Sequence, residues 1–154
     1  MKIKRGKFDI VLNILCMLML ISIIFFLIII WSKIPDEVPM HYDFAGNTDR
    51  WGSKLEIIIL PIISWIMYIF MTIIEKFPQV WNTGVKVTEE NKERVYSILL
   101  HLISTIKFIV VCVFMYLTVQ TALVFELSAW FLPIFLLIIF GDLFYWIWRL
   151  LKAI

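Results

Sequence analysis

The residues that could do chemistry are concentrated in one polar stretch, IPDEVPMHYDFAGNTDRWGSK, which covers residues 34–54 between two apolar runs. His41 and Asp43 are two positions apart, so their side chains point to the same side if the backbone is extended. An imidazole beside carboxylates can hold a ligand through charge and hydrogen bonds, or move a proton. We therefore identify His41, Asp43, Asp49 and Lys54 as the candidate ligand-binding residues.

Two kinds of catalysis could use the same residues. A catalytic zinc site has three protein ligands, rich in histidine or cysteine, whereas this stretch has one histidine. Ser53, His41 and the aspartates supply the residue types of a hydrolytic site, but the spacing of a nucleophile turn is missing. We predict no catalytic residue, no metal and no cofactor, and keep a small membrane hydrolase or metal-dependent enzyme as the alternative. A third interpretation is an ordered cap in which His41 and Asp43 bond to backbone.

The same stretch contains residues that would shape its backbone. Pro35 and Pro39 favour an extended approach to the polar residues, and Gly46 tolerates the positive φ of a turn. Gly52 and Ser53 come just before the second apolar run, where a serine can cap a helix. These five residues are predicted to be structural, within an ordered loop over residues 33–54.

The composition of the chain predicts the class of protein to which this loop belongs. Hydrophobic residues make up 62% of the chain and charged residues 17%, whereas a soluble domain has about 45–50% and about 25%. The chain is therefore predicted to be an all-α integral membrane protein, formed by a single domain over residues 1–154. The net charge of +2 gives no reason to expect nucleic acid as a partner. A spanning helix needs about 20 apolar residues, and four runs are predicted to cross the bilayer: 10–32, 57–74, 96–122 and 129–151.

Lysine and arginine counts predict the orientation of these helices, because cytoplasmic loops carry an excess of both. Three cations lie in or next to the polar stretch: Lys33, Arg50 and Lys54. Ten lie at the two ends of the chain or in the middle loop: Lys2, Lys4, Arg5, Lys7, Lys76, Lys86, Lys92, Arg94, Arg149 and Lys152. We predict a multi-pass membrane protein, with both termini and loop 76–95 cytoplasmic and the polar stretch outside.

Besides Arg149 near the end of the fourth run, two charges lie inside the predicted helices. Lys107 is in the third and Asp142 in the fourth, and the short connector makes these helices antiparallel neighbours. An intramembrane charge costs roughly 2.5–3.5 kcal/mol and a partner lowers that cost, so Lys107 and Asp142 are predicted to form an intramembrane ion pair. The alternatives are an ion- or proton-coupled carrier built on the pair, and a Lys107 side chain that extends to the interface. His101 and Thr105 share one face of the third helix and are expected to bond to a neighbouring helix.

The order of residues in the polar stretch resembles a bacterial family of membrane proteins. The shared elements are Ile34-Pro35, Pro39, His41-Tyr42, Gly46, Asp49 and Gly52-Ser53-Lys54. The likeness continues through VWNTGVKVTEENKERVYSILLHLISTIK, with matching positions at Thr88, Asn91, Arg94 and Tyr96. This is the SdpI/YhfL-like family, known as domain of unknown function 1648 (DUF1648), which includes SdpI-type toxin-immunity proteins of Gram-positive bacteria.

The resemblance implies a multi-pass protein of the bacterial cell membrane that protects the producing cell against a secreted peptide toxin. It also implies that some members signal inward by holding a transcriptional repressor at the membrane. The expected partners are thus the lipid bilayer, a secreted peptide toxin and a cytoplasmic repressor protein. With the candidate residues, the resemblance predicts a non-enzymatic immunity or receptor protein whose outer loop recognises an external ligand.

Overall fold

The computed structural model describes residues 3–153 and is mostly helical. Lys2, one of the ten cations counted above, lies outside these residues. As the composition predicts, four helices are long and apolar enough to cross a membrane, the second of them counted together with the 3-10 turn of residues 54–58 that precedes it. A helix is the natural state of such runs, because it satisfies every backbone polar group within the segment. The helices are α1 (Lys7–Ile30), α2 (Ile59–Ile74), α3 (Lys92–Ala122) and α4 (Phe131–Leu151).

Helix α3 is the central element and packs against each of the other three. Its 31 residues span about 46 Å, which exceeds the roughly 30 Å hydrocarbon thickness of a bilayer. Helix α2 has 16 residues and spans only about 24 Å. Because of this difference, α2 ends beside the middle of α3, where Glu75 contacts Lys107.

The interior consists of three buried apolar clusters that follow one another along the bundle. They lie near the start of α3, at mid-bundle, and where α3 ends. In that order, their main members are Val95, Leu99 and Trp146; then Cys16, Leu20 and Val111; then Leu27, Val38 and Ile57. The outer faces of α1, α2 and α4 expose apolar side chains, which suits contact with lipid tails.

The polar stretch folds as a β-hairpin. After a 3-10 turn (Trp31–Lys33) come two antiparallel strands, β1 (Glu37–Tyr42) and β2 (Thr48–Ser53), and a second 3-10 turn (Lys54–Ile58) leads into α2. The pairing register shifts on both sides of His41. The nearby Pro39 has no N–H to donate to the ladder, and such irregularities re-aim the side chains beside them.

Contacts show which segments lie at the same end of the bundle. Arg5 meets Glu75 and Asp9 meets His101, so the described N-terminal residues lie beside the end of α2 and the early part of α3. We call this the terminal end. At the opposite end of the bundle, the hairpin contacts the connector between α3 and α4, residues 123–130. We call this the hairpin end. That the terminal end is cytoplasmic remains a prediction from the charge counts.

Helix α3 ends at a left-handed residue that is not glycine. Val124 has a φ of 57°. Its N–H donates to the Thr121 carbonyl at 3.2 Å, and the Phe125 N–H donates to the Gln120 carbonyl at 2.9 Å, which is the bonding of a Schellman turn. The left-handed conformation costs an ordinary residue roughly 1–2 kcal/mol. The connector that meets the hairpin therefore begins with a strained residue.

Candidate hairpin-groove site

A groove of about 470 Å³ opens between the hairpin and the adjoining parts of α2, α3 and α4. This volume is in the range of small-ligand sites, which are mostly apolar with a few placed polar groups. We call it the hairpin groove. It is lined by Met40, His41, Tyr42, Asp43, Phe44, Asp49, Leu60, Leu117, Thr121, Leu127, Phe131 and Leu132.

Two of the candidate residues meet across the strands. The Nδ1 of His41 lies 2.6 Å from Oδ1 of Asp49, and their side chains are 66% and 45% exposed. Because Asp49 engages Nδ1, the Nε2 edge of the ring is the one that can meet a ligand. The pair thus supplies a carboxylate-oriented imidazole at the rim of the hairpin groove.

This pair could exchange a proton or hold a polar ligand, whereas a metal would need further donors. Within residues 3–153, no group of three or more His, Cys, Asp or Glu side chains is arranged to hold a metal ion. The pair can contact a ligand through hydrogen bonds and charge.

Asp43 lines the hairpin groove and also builds the turn between the strands. Its Oδ1 accepts from the N–H groups of Ala45 at 2.8 Å and Asn47 at 2.9 Å, and its Oδ2 accepts from the Asn47 side-chain amide at 3.0 Å. The Asn47 amide, followed by these backbone donors, holds the pKa of the Asp43 carboxyl below its ordinary value of 3.8. The carboxylate that was predicted to bind a ligand therefore also orders its own loop.

Two hydrogen bonds join the hairpin to the connector. The Leu127 N–H donates to the Gly46 carbonyl at 3.0 Å, and the Tyr42 hydroxyl donates to the Phe125 carbonyl at 3.2 Å. Gly46 has a φ of 90°, and a Cβ at this position would lie 2.0 Å from the Leu127 oxygen. Only glycine therefore fits at position 46. Burial raises the pKa of the Tyr42 phenol, which keeps the hydroxyl a neutral donor.

Lys54 lies apart from the other candidate residues. Its Nζ is 3.1 Å from Oδ1 of Asp36 and 5.8 Å from the centroid of the Trp31 ring. It does not line the hairpin groove. The structure thus brings His41 together with Asp49 and sets Lys54 at the base of the hairpin.

Four of the five predicted shaping residues lie in or beside the strands toward this base, whereas Gly46 lies in the turn. Pro39 is buried and Pro35 is exposed. The Ser53 hydroxyl accepts from the backbone N–H two residues later at 3.3 Å, and the Glu56 carboxylate accepts from the Ser53 N–H at 2.9 Å, as in a capping box. A Cβ on Gly52 would lie 2.4 Å from Oε1 of Glu56, so glycine lets this carboxylate approach.

The intramembrane lysine has a different partner from the predicted one. Nζ of Lys107 lies 2.6 Å from Oε1 of Glu75, and it also donates to Asn13 at 3.0 Å and Thr72 at 3.2 Å. The second carboxylate oxygen of Glu75 accepts from Arg5 at 2.6 Å. We call these five residues the lysine network. The Lys107 and Glu75 side chains are 1% and 2% exposed.

Asp142 bonds elsewhere, which corrects the predicted pair with Lys107. Its two oxygens accept from Thr105 Oγ1 at 2.8 Å and Trp146 Nε1 at 3.0 Å. The reason is rotation: residues two apart on a helix differ by about 200°, so Thr105 and Lys107 face opposite ways on α3. Thr105 faces α4, whereas Lys107 faces α1 and α2.

Sequence reasoning missed three partners at the terminal end: Arg5, Asp9 and Glu75. Nδ1 of His101 lies 2.6 Å from Oδ1 of Asp9, whose other oxygen accepts from the Gly6 N–H at 2.9 Å. A signal was present, because Asp9 directly precedes one uncharged run and Glu75 directly follows another. An acid at the edge of a spanning run needs a partner.

Comparisons with known proteins bear on the hairpin. Residues 17–64 match the family described as a domain of unknown function (DUF1648). This match includes most of α1, all of the hairpin and the first residues of α2. It therefore covers every residue of the hairpin that was selected from the sequence.

One similar protein, from Archaeoglobus fulgidus, is described as uncharacterized. It is 37% identical over 60 residues, which cover 34% of this chain and 33% of the relative. The aligned part thus spans about a third of that protein. No solved structure matches the chain. The matches support the resemblance to the DUF1648 family over α1, the hairpin and the start of α2.

Proposed function

We propose that the protein is a membrane receptor of the toxin-immunity type, whose hairpin groove binds a secreted peptide or similar amphipathic ligand. One observation carries the proposal: the polar rim of His41 and Asp49 stands over an apolar floor that includes Leu60 and Phe131. A peptide with a polar or basic group beside an apolar side chain would satisfy both surfaces. The resemblance to the DUF1648 family supports the immunity role.

The proposal requires that the hairpin face the outside of the cell. The distribution of lysine and arginine supports this orientation, with ten such residues at the two ends of the sequence and in the middle loop and three in or beside the hairpin segment. A single cysteine tests it, in a chain whose Cys16 and Cys112 are replaced by serine. In intact bacteria, Asn47→Cys should react with a membrane-impermeant maleimide, whereas Lys86→Cys should react only after permeabilisation. The reverse pattern would rule out an external receptor.

Inward signalling to a cytoplasmic repressor is the further part of this proposal. Helix α3 lines the hairpin groove through Leu117 and Thr121, and the same helix continues to the terminal end at Lys92. A ligand in the groove would therefore contact an element that also reaches the opposite side. The cytoplasmic partner would read the position of α3 or of residues 76–95.

A survival assay tests the recognition role directly. A sensitive bacterial strain that expresses the chain would be challenged with a panel of secreted antimicrobial peptides. Wild-type protein should raise survival against at least one peptide, and His41→Ala should reduce that protection about tenfold, which corresponds to the loss of one charge-assisted hydrogen bond.

Lys54→Ala is the matched control, because Lys54 lies in the same segment outside the groove. At equal membrane abundance it should protect as wild type does. Equal protection by His41→Ala and wild type, or no protection against any peptide, would contradict the proposal.

A further inference from the structure

A second polar pocket lies at the terminal end, far from the hairpin groove. Its volume is about 520 Å³, and it is formed by the early part of α3 and the end of α4. Arg94, Arg149 and Lys152 line it, together with Ser97 and His101. We call it the basic pocket.

The basic pocket gathers three cations, and the acid that contacts its wall, Asp9, bonds to His101. Among residues 3–153, no acidic side chain lines it. Arg94, Arg149 and Lys152 form no ion pair with any described acidic residue. Like charges around one cavity repel each other, and a bound anion removes that repulsion. The charge therefore favours a ligand that carries at least one negative charge.

The available donors suit a phosphate group. Two guanidinium groups offer planar, paired N–H donors, which match phosphate oxygens in a bidentate way. Asp9 engages Nδ1 of His101, and the other ring nitrogen, Nε2, is 3.5 Å from Oγ of Ser97. The wall beside the guanidinium groups is thus polar, and the arginines remain the principal donors for a phosphate.

The depth of the basic pocket corresponds to lipid headgroups. The 21 residues of α4 span about 31 Å, close to the roughly 30 Å hydrocarbon thickness, so its last turn lies at headgroup level. Nζ of Lys152 lies 3.9 Å from the ring centroid of Trp148, a residue type enriched at this interface. Beside the pocket, α4 exposes Ile147 and Leu151, which are suited to contact acyl chains.

We propose that the basic pocket binds the phosphate of an anionic phospholipid, with Arg94 and Arg149 as its principal ligands and Lys152 as an additional charge. Basic pockets between transmembrane helices are a known mode of headgroup recognition. Free phosphate presents the same oxygens, so the experiment has to separate the two sources.

The first arm uses the full chain in mixed micelles with equal amounts of phosphatidylglycerol and phosphatidylcholine, and native mass spectrometry counts the retained lipids. Wild-type protein should retain phosphatidylglycerol in preference, and Arg94→Gln with Arg149→Gln should reduce that retention at least about tenfold. The control combines Lys76→Gln with Lys86→Gln, which removes two charges from the same end outside the pocket. It should retain phosphatidylglycerol as wild type does.

The second arm measures binding of inorganic phosphate by calorimetry in phosphatidylcholine micelles. Phosphate binding that the arginine variant loses, without a preference for phosphatidylglycerol, would keep the anion site and overturn the lipid as its ligand. Equal retention of both lipids without phosphate binding, or equal losses in variant and control, would overturn the site. If the glutamine variant does not fold, Arg94→Lys with Arg149→Lys replaces it. This variant keeps the charge, loses the paired donors and should bind more weakly than wild type.

Discussion

The protein contains two histidine–aspartate pairs with the same geometry in opposite surroundings. His41 meets Asp49 at the hairpin end and His101 meets Asp9 at the terminal end, each with 2.6 Å between Nδ1 and Oδ1. The first pair is 66% and 45% exposed, whereas the second is 24% and 2% exposed. Burial thus separates a pair that can meet a ligand from one that joins two helices.

Their energetic roles should differ for the same reason. An exposed ion pair contributes little, about 0–1 kcal/mol, because water screens it and already solvates both groups. A buried carboxylate that loses its partner keeps its desolvation cost, so removal of the partner destabilises the fold far more. Of the two pairs, the buried one therefore stabilises the bundle, whereas the exposed one remains available for recognition.

The largest effect should come from the lysine network. Glu75→Leu leaves Lys107 buried without its carboxylate and should lower the free energy of unfolding by about 3–5 kcal/mol. Denaturant unfolding in detergent measures this loss. A double-mutant cycle sharpens the result, because Lys107→Met should couple strongly with Glu75→Leu and not with Asp142→Asn. Strong coupling to Asp142 would restore the pair predicted from the sequence.

The two pairs can be compared directly by the same substitution. Asp9→Asn removes a buried hydrogen-bonded charge and should destabilise the protein by about 1.5–3 kcal/mol. Asp49→Asn should cost less than about 1 kcal/mol, since water solvates both groups. Thermal unfolding of the two variants, side by side, checks the difference. Similar losses at both positions would mean that burial does not separate the energetic roles of the two pairs.

The attachment of the hairpin can be broken at one glycine. Gly46→Ala places a Cβ against the Leu127 carbonyl and should detach the hairpin from the connector, with a destabilisation of about 1–3 kcal/mol. Gly84→Ala is the matched control, because Gly84 also has a positive φ but a Cβ there would meet no atom within 4 Å. Limited proteolysis of the hairpin should accelerate in the first variant alone. Equal acceleration in both would assign the effect to backbone conformation.

The smallest effect concerns the turn of the hairpin. Asn47→Ala removes the first donor to Asp43 and should bring the pKa of this carboxyl back toward its ordinary value of 3.8. A folded-state pKa below the unfolded value stabilises the fold at higher pH, and this contribution disappears as pH falls through the folded pKa. Carboxyl NMR titration of wild type and variant measures the shift. An unchanged Asp43 pKa would mean that the backbone donors suffice.

The helices were predictable because their information is local. Apolar runs of sufficient length identify all four, although the third and fourth contain charges, and Gly46 marks a turn by its own conformational freedom. The groove was not predictable in the same way. His41 meets Asp49 only through a strand register that shifts beside Pro39, and the apolar floor comes from three helices distant in sequence.

The lysine network shows what a sequence argument can and cannot supply. The sequence indicated that Lys107 needs a partner, and it offered Asp142 because their helices are neighbours. The true partner, Glu75, follows from the short length of α2, which brings its end to the level of Lys107. Thr105 and Lys107 face opposite sides of α3, and this rotation could have excluded Asp142 beforehand.

The left-handed Val124 has a consequence for how the bundle would come apart. The residue carries roughly 1–2 kcal/mol of conformational energy next to the peptide groups that fasten the hairpin. Any opening that lets Val124 return to an extended backbone recovers this energy, so the first segment to loosen on warming should be the junction after α3. A glycine at this position would remove that advantage and delay the opening without touching the groove.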